Sequence, residues 1–204
     1  MSPVITAGLL LIFAYLLGSV CSAIIVCKAL GLPDPRTEGS RNPGTTNVLR
    51  IGGKGPAALT LLGDMLKGVI PVLIGHYLKL DPAWIAAIGF AAFLGHLYPV
   101  FFGFEGGKGV ATALGVLLAL YWPLGLIVVG IWIAAFASTR ISSLGAIGGF
   151  VAAPIACWYL APGYLWGTLA MSVILLARHH ANIRALLKGE ERRFGSKKED
   201  SQAS

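Results

Sequence analysis

Three short stretches hold most of the polar side chains in this sequence that are able to do chemistry. The first, GSRNPGTTNVLR from Gly39 to Arg50, packs hydroxyls, amides, two arginines and two glycines into twelve residues. Ser40, Thr45 and Thr46 offer hydroxyls, Asn42 and Asn47 offer amides, Arg50 offers a bidentate fork, and Gly44 lets backbone amides approach a ligand. Together these groups can surround an oxyanion with donors. Asn-Pro-Gly is also an ordinary turn signal, so a purely structural role stays open. The second stretch, GHLYPVFFGFEGGKGVAT from Gly95 to Thr112, presents Lys108 on a glycine-rich turn just ahead of an apolar helix. Glycines, a lysine and a helix N-terminus suit an anion. It is not a Walker loop, because Phe102 stands where the first glycine belongs and Gly109 where Ser or Thr should follow the lysine. His96 is read either as a histidine bonded inside a bundle or as a reacting group. The third stretch, RHHANIRALLKGEE from Arg178 to Glu191, sets His179 and Asn182 one helical turn apart, where both can face one site. Arg140, Ser142 and Ser143 are smaller candidates for the same ring of donors.

The elements that must position these side chains are membrane helices. Of 204 residues 56% are hydrophobic and only 12% charged, with a mean hydropathy of +0.76. Ordinary globular domains carry about 25% charged residues, so this chain needs lipid as its solvent. Apolar runs at roughly residues 4 to 27, 55 to 78, 83 to 102, 109 to 122, 124 to 139, 144 to 161 and 163 to 178 predict an all-α, polytopic bundle of about seven transmembrane helices. The first run is too long for a signal-peptide apolar region, lacks a basic start and is read as a retained helix. Residues 1 to 188 then form one integral membrane domain. Residues 189 to 204 form a polar tail expected to be mobile and without chemistry.

Charge sets the expected orientation. With the N-terminus outside and the C-terminus cytoplasmic, all of the 16 basic residues except Lys67 and Lys79 lie on the inner side, as the positive-inside rule prefers. Merging the two runs between 109 and 139 would send the basic tail outside, so a hairpin turning at Trp122 and Pro123 is expected there. All three polar stretches then share the inner face. Asp64 and Lys67, three residues apart within the second run, read as a buried ion pair bracing the bundle, although intramembrane charges keep a functional reading open. Gly145 and Gly149 form a small-xxx-small pair for close helix approach. Cys21, Cys27 and Cys157 lie in or at the ends of apolar runs without metal-ligand spacing, and read as packing. The basic residues scatter over short loops, which does not suit nucleic acid.

The three stretches, in this order and at this spacing, resemble the signatures of the bacterial acyl-phosphate:glycerol 3-phosphate acyltransferase (PlsY) family, nearly end to end. The resemblance implies a seven-helix inner-membrane enzyme with its active site on the cytoplasmic face. It implies transfer of a fatty acyl group from acyl phosphate to glycerol 3-phosphate, giving lysophosphatidic acid and inorganic phosphate in phospholipid biosynthesis. The substrates and membrane lipid are then its partners, with the soluble enzyme that makes acyl phosphate a further candidate, and no cofactor or metal is called for. Carried over by position, the catalytic residues are His179, Asn182, Lys108 and Arg50, and the phosphate-binding set is Ser40, Asn42, Gly44, Thr46, Asn47, Arg50, Lys108 and Ser143. Arg41 stands where many members carry glycine, and Glu105 where many carry lysine. The second change lowers local positive charge and bears on substrate affinity. HYLKLD, His76 to Asp81, matches the His-x4-Asp pattern of thioester-using glycerolipid acyltransferases, but it falls on the outer end of the second run and is read as coincidental. The alternative from another class is a transporter of a small phosphorylated or organic anion. Its weakness is that such sites lie near the midplane between repeats, whereas these motifs share one face.

Overall fold

The computed structural model describes residues 2–195, and among them the chain forms ten α-helices and two 3-10 helices with no strand. Seven apolar segments coincide with the seven runs. The first is broken: α1 (Pro3–Gly18) starts with proline in its first turn under a Ser2 cap, and meets α2 (Ser22–Ala29) at a 40° bend. Ser19 Oγ donates to the Tyr15 carbonyl at 2.8 Å just at that bend, the back-bonding that draws a helix off its axis. After α3 (Thr45–Gly52) come α4 (Lys54–Tyr77), α5 (Pro82–Leu97), α6 (Val110–Leu120), α7 (Trp122–Thr139), α8 (Ser142–Leu160), α9 (Leu165–Arg178) and α10 (His180–Leu187). The two 3-10 turns lie at Val100–Phe102 and Pro162–Tyr164.

By length and composition four helices (α4, α5 with its 3-10 extension, α7 and α8) are able to cross a membrane, and the bent α1/α2 pair makes five. The remaining two apolar segments are shorter than the seven-span expectation assumes. At 1.5 Å per residue, α6 rises about 16 Å and α9 about 21 Å, against a hydrocarbon core of about 30 Å. The hairpin between α6 and α7 is present: extended backbone at Tyr121 reverses the chain, and Gly125 lies against Leu118 with room for no Cβ. Because α6 has eleven residues and α7 eighteen, the loop bearing Lys108 stops short of the end that α7 reaches.

Glycines let the helices meet backbone to backbone. A Cβ on Gly95 would lie 2.2 Å from the Tyr15 carbonyl oxygen, and one on Gly115 would lie 2.3 Å from that of Met65, so α5 sits directly on α1 and α6 on α4. Gly145 and Gly149 pack against Trp132 and Val128, the close approach of α7 and α8 expected from their spacing. The three cysteines are buried free thiols.

In the middle of this packing lies the expected ion pair. Lys67 Nζ is 2.8 Å from Asp64 Oδ1 with the side chains 3% and 1% exposed, and it also donates to the Val20 carbonyl at 2.8 Å. That carbonyl lies in the α1/α2 break, where the helix leaves it without its usual donor. Removing one partner of a buried pair typically costs about 3 to 5 kcal/mol, because the other charge is stranded. Lys67→Met is therefore expected to lower unfolding stability in mixed detergent micelles by about that amount, and adding Asp64→Leu to recover part of the loss. An unchanged midpoint in the single variant would show that the pair does not brace the bundle.

Candidate functional site

The N-terminus of α1 and the three polar stretches occupy opposite ends of the bundle. Pro3 and Thr6 share a cavity of about 390 Å³ with Leu78, Lys79, Leu80, Asp81 and Trp84, at the turn between α4 and α5. His76 lies at this end too, roughly 33 Å along α4 from Lys54 at 1.5 Å per residue. Its ring packs edge-on against Tyr164 at 6.1 Å, and its Nε2 is buried without a partner, so it forms no dyad with Asp81.

At the other end the sequence brings its candidates together. Lys108 Nζ donates to Asn182 Oδ1, and Asn182 Nδ2 donates to Glu191 Oε1 at 2.7 Å. Ser143 Oγ donates to the same carboxylate oxygen. Thr46 Oγ1 lies 3.4 Å from Ser142 Oγ, joining the first stretch to the start of α8. Arg50 and Arg178 are both close enough to Lys108 to act on its charge. The Arg50 guanidinium stands 5.8 Å from the centre of the Phe194 ring. His179 is 3% exposed, at the break between α9 and α10, with Nδ1 2.8 Å from the Leu175 carbonyl. As Nδ1–H donates there, the neutral ring keeps its lone pair on Nε2. Burial pushes the His179 pKa below its ordinary value, with Lys108 and Arg178 adding to that and Glu191 opposing it.

The glycine-rich turn is held from both sides. Arg178 Nη2 donates to the Gly106 and Gly107 carbonyls at 3.2 Å each. A Cβ on Gly107 would lie 2.3 Å from His96 Nε2 and 3.0 Å from the Pro43 carbonyl oxygen, so the first and second stretches touch at this residue. Gly109, just after Lys108, has φ +86 and abuts the Phe93 ring, a conformation and a space that only glycine fits.

Other candidates serve the loop itself. Asn47 is 1% exposed and its amide is committed to backbone: Nδ2 donates to the Pro35 and Glu38 carbonyls, while Oδ1 accepts from the Ser40 amide. It shapes the loop from beneath. Gly44 caps α3 in extended conformation, and its amide donates to the Asn42 carbonyl at 2.9 Å. Ser40 is exposed and Asn42 half-buried. Among the described residues neither side chain is hydrogen-bonded to Lys108, Asn182, Ser143 or Glu191. Arg41 has φ +55, the left-handed region, which gives a physical reason for glycine at that position.

Two participants went unread in the sequence. Glu191 and Phe194 fall in the stretch taken as a tail, yet Glu191 joins the Lys108 cluster and the Phe194 amide donates to the Arg140 carbonyl at 2.9 Å. The site thus extends past the expected boundary at Lys188. The rest of that tail, residues 196–204, lies outside the described residues.

Comparison with known proteins bears on this arrangement. The family model for glycerol-3-phosphate acyltransferase matches residues 8–189. The glycerol-3-phosphate acyltransferase of Methylococcus capsulatus is 60% identical over 192 residues, covering 93% of this chain and 97% of that protein. That of Thioalkalivibrio sulfidiphilus is 52% identical over 198 residues, covering 94% and 95%. Among solved structures, PlsY (YgiH), an integral membrane glycerol 3-phosphate acyltransferase, superimposes in its glycerol 3-phosphate form with a TM-score of 0.88 at 40% identity, covering 93% of this chain and 96% of that one. Its lysophosphatidic acid form gives 0.87 at 39% identity.

The Lys108 environment predicts a pH dependence. Burial lowers its pKa from the ordinary lysine value of 10.5, Glu191 opposes that shift, and Arg178 and Arg50 reinforce it. The anion-binding form is the protonated one, so inorganic phosphate affinity measured by calorimetry is expected to fall as pH rises through a midpoint below 10.5. Lys108→Arg, which does not titrate in that range, should remove this limb; a limb unchanged in the variant would assign it to another group.

Proposed function

This chain belongs to the glycerol-3-phosphate acyltransferase family, and on that premise we propose that it transfers a fatty acyl group from acyl phosphate to the C1 hydroxyl of glycerol 3-phosphate, giving lysophosphatidic acid and inorganic phosphate. The observation that carries the reading is the gathering of Lys108, Asn182, Ser143, His179 and two arginines around a glycine turn at one end of an apolar bundle. Both proposed substrates carry phosphate and one carries a lipid tail, so a cationic site at the bilayer boundary suits both. The transporter alternative finds no support among the relatives.

In the proposed mechanism Arg50 and Lys108 neutralise phosphate charge, while Ser40, Asn42, Thr46, Ser143 and Asn182 orient the reactants and stabilise the oxyanion. Gly44 and Asn47 keep the first loop in shape for this. The C1 oxygen attacks the acyl carbonyl carbon, the bond from that carbon to the phosphate oxygen breaks, and phosphate leaves with the electron pair. Acyl phosphate is a mixed anhydride, so the leaving group needs no strong acid. A phosphate oxygen of bound substrate takes the C1 hydroxyl proton, and His179 Nε2 positions glycerol 3-phosphate by accepting a hydrogen bond from its other hydroxyl. Transfer is direct, without an acyl-enzyme. The soluble enzyme that makes acyl phosphate is the proposed source of the donor.

The purified protein is expected to turn over acyl phosphate with glycerol 3-phosphate. Arg50→Ala and Lys108→Ala should each lose roughly 10-fold to 150-fold, the equivalent of a charge-assisted contact of about 1.5 to 3 kcal/mol. His76→Ala and Asp81→Ala, at the far end, should be mild. Losses at His76 equal to those at Arg50 would put the site on the wrong end, and a kinetically competent acyl adduct on Ser40, Ser143 or a cysteine in quenched enzyme would end the direct-transfer reading.

Orientation follows from the same reading. In the bacterial inner membrane the N-terminus is proposed to lie outside, with the site and C-terminus cytoplasmic, as the basic-residue asymmetry requires. Reporter fusions at both ends check this; a periplasmic C-terminus would overturn it.

A further inference from the structure

The buried groups that this mechanism leaves unused converge on His96. Its side chain is 4% exposed, with Nδ1 3.6 Å from Asp64 Oδ1. Lys67 already pairs with that carboxylate at 2.8 Å, so His96 is not needed to balance its charge. On the other side of the ring, Nε2 faces Gly107 so closely that a Cβ there would stand at 2.3 Å. The Gly107 amide donates to the His96 carbonyl at 3.3 Å, and a Cβ on Gly106 would lie 2.1 Å from the same oxygen. The backbone and ring of His96 thus form the floor of the turn, while Arg178 grips its carbonyls from the C-terminal end of α9.

We propose that His96 is a positioning residue for acyl transfer: its ring, wedged between the Asp64–Lys67 pair and Gly107, sets the place of the glycine turn and so of Lys108. An apolar side chain of similar volume would fill the space but offer nothing to the carboxylate or to the turn. A buried imidazole without such a duty is costly to keep, since its nitrogens lose their hydration. The wedge also ties the turn to the first stretch, because Lys67 holds the Val20 carbonyl in the α1/α2 break and Gly107 rests against Pro43.

This inference rests on the acyltransferase reading, and its test separates the two. Turnover is measured for wild type, His96→Leu, His96→Asn and His96→Gln in detergent, with glycerol 3-phosphate varied at saturating acyl phosphate, alongside melting temperature. A displaced Lys108 weakens phosphate binding in the ground state and the transition state alike, so the loss falls on KM. His96→Leu is expected to raise KM for glycerol 3-phosphate by roughly 10-fold to 100-fold, with kcat within about threefold. His96→Gln, whose amide reaches the position of Nε2, should restore most of the affinity. His96→Asn, which reaches only that of Nδ1, should not. Should the leucine variant fail to accumulate, the Gln and Asn pair decides the matter alone. Wild-type KM in the leucine and asparagine variants, or a fall in kcat and melting temperature that Gln and Asn share equally, would reduce His96 to packing and overturn the proposal. A wild type inactive on glycerol 3-phosphate would sink the acyltransferase reading and this inference with it, whereas an active wild type with indifferent His96 variants would sink only the inference.

Discussion

The arrangement depends on one buried ion pair. Asp64 and Lys67 sit on a single face of α4, and inside an apolar bundle neither charge is tolerable without a partner. Satisfying Lys67 fixes α4 against the break in the first segment, where Val20 supplies a carbonyl. His96 of α5 comes within 3.6 Å of the Asp64 carboxylate, so α5 packs at this level too. One turn further along α4, Gly68 lies against the Thr112 carbonyl of α6. Four segments are thereby held at a common height, and each leads directly into a loop or turn of the site. Sliding α4 by a turn, about 5.4 Å, would carry both charges with it and break the Lys67–Val20 and Asp64–His96 contacts.

The shortness of α6 and α9 does the rest. A helix too short to reach the end of its neighbours leaves its terminal residues below the rim, and Lys108 and His179 stand at two such ends. Recessed cations lose hydration, which lowers the Lys108 pKa and strengthens any charge-assisted bond made there. The described part of the C-terminal segment adds cover, with Glu191 against Ser143 and Asn182 and Phe194 against Phe136. In the proposed reaction, whose leaving group is already good, placing two charged reactants side by side in a site of lowered dielectric is the main work left to the protein.

Much of this was legible in the sequence because it is periodic or local. Apolar runs gave seven segments, charge asymmetry distinguished the hairpin at Tyr121 from a single helix, and the three-residue spacing of Asp64 and Lys67 announced their pairing. The three polar stretches were recognised as belonging to one face, and they do meet. What stayed hidden has no pattern to reveal it. Thr46 meets Ser142 across 96 residues, and Glu191, although it closes the third stretch, shows no spacing that pairs it with Asn182 and Ser143. Asn47 looked like a ligand because its amide is the right chemistry; only the fold shows that both ends of that amide are spent on the loop. Arg178 opened the third stretch without a role of its own, and its bonds to Gly106 and Gly107 depend on where α9 ends. The shortness of α6 and α9 was already visible in the runs at 109 to 122 and 163 to 178, and the helices are shorter still because hydropathy does not see where a glycine or an extended residue ends a helix.

The two departures from the family pattern can now be weighed by their surroundings. Arg41 carries the strain of a left-handed backbone, a cost of about 1 to 2 kcal/mol that glycine avoids, but its exposed side chain lies on the outside of the loop that Asn47 shapes. Glu105 puts a negative charge at the glycine turn, yet its side chain is 76% exposed and 3.9 Å from Arg36, whose own guanidinium is held bidentately by Asp34. Charges so exposed are screened by water and salt, and their pairwise energies are small. The cations proposed to hold phosphate are half-buried, Lys108 with Arg50 and Arg178 close by, and neither Arg41 nor Glu105 is among them. Under the proposed function, phosphate affinity then rests on the recessed cluster and not on these exposed side chains.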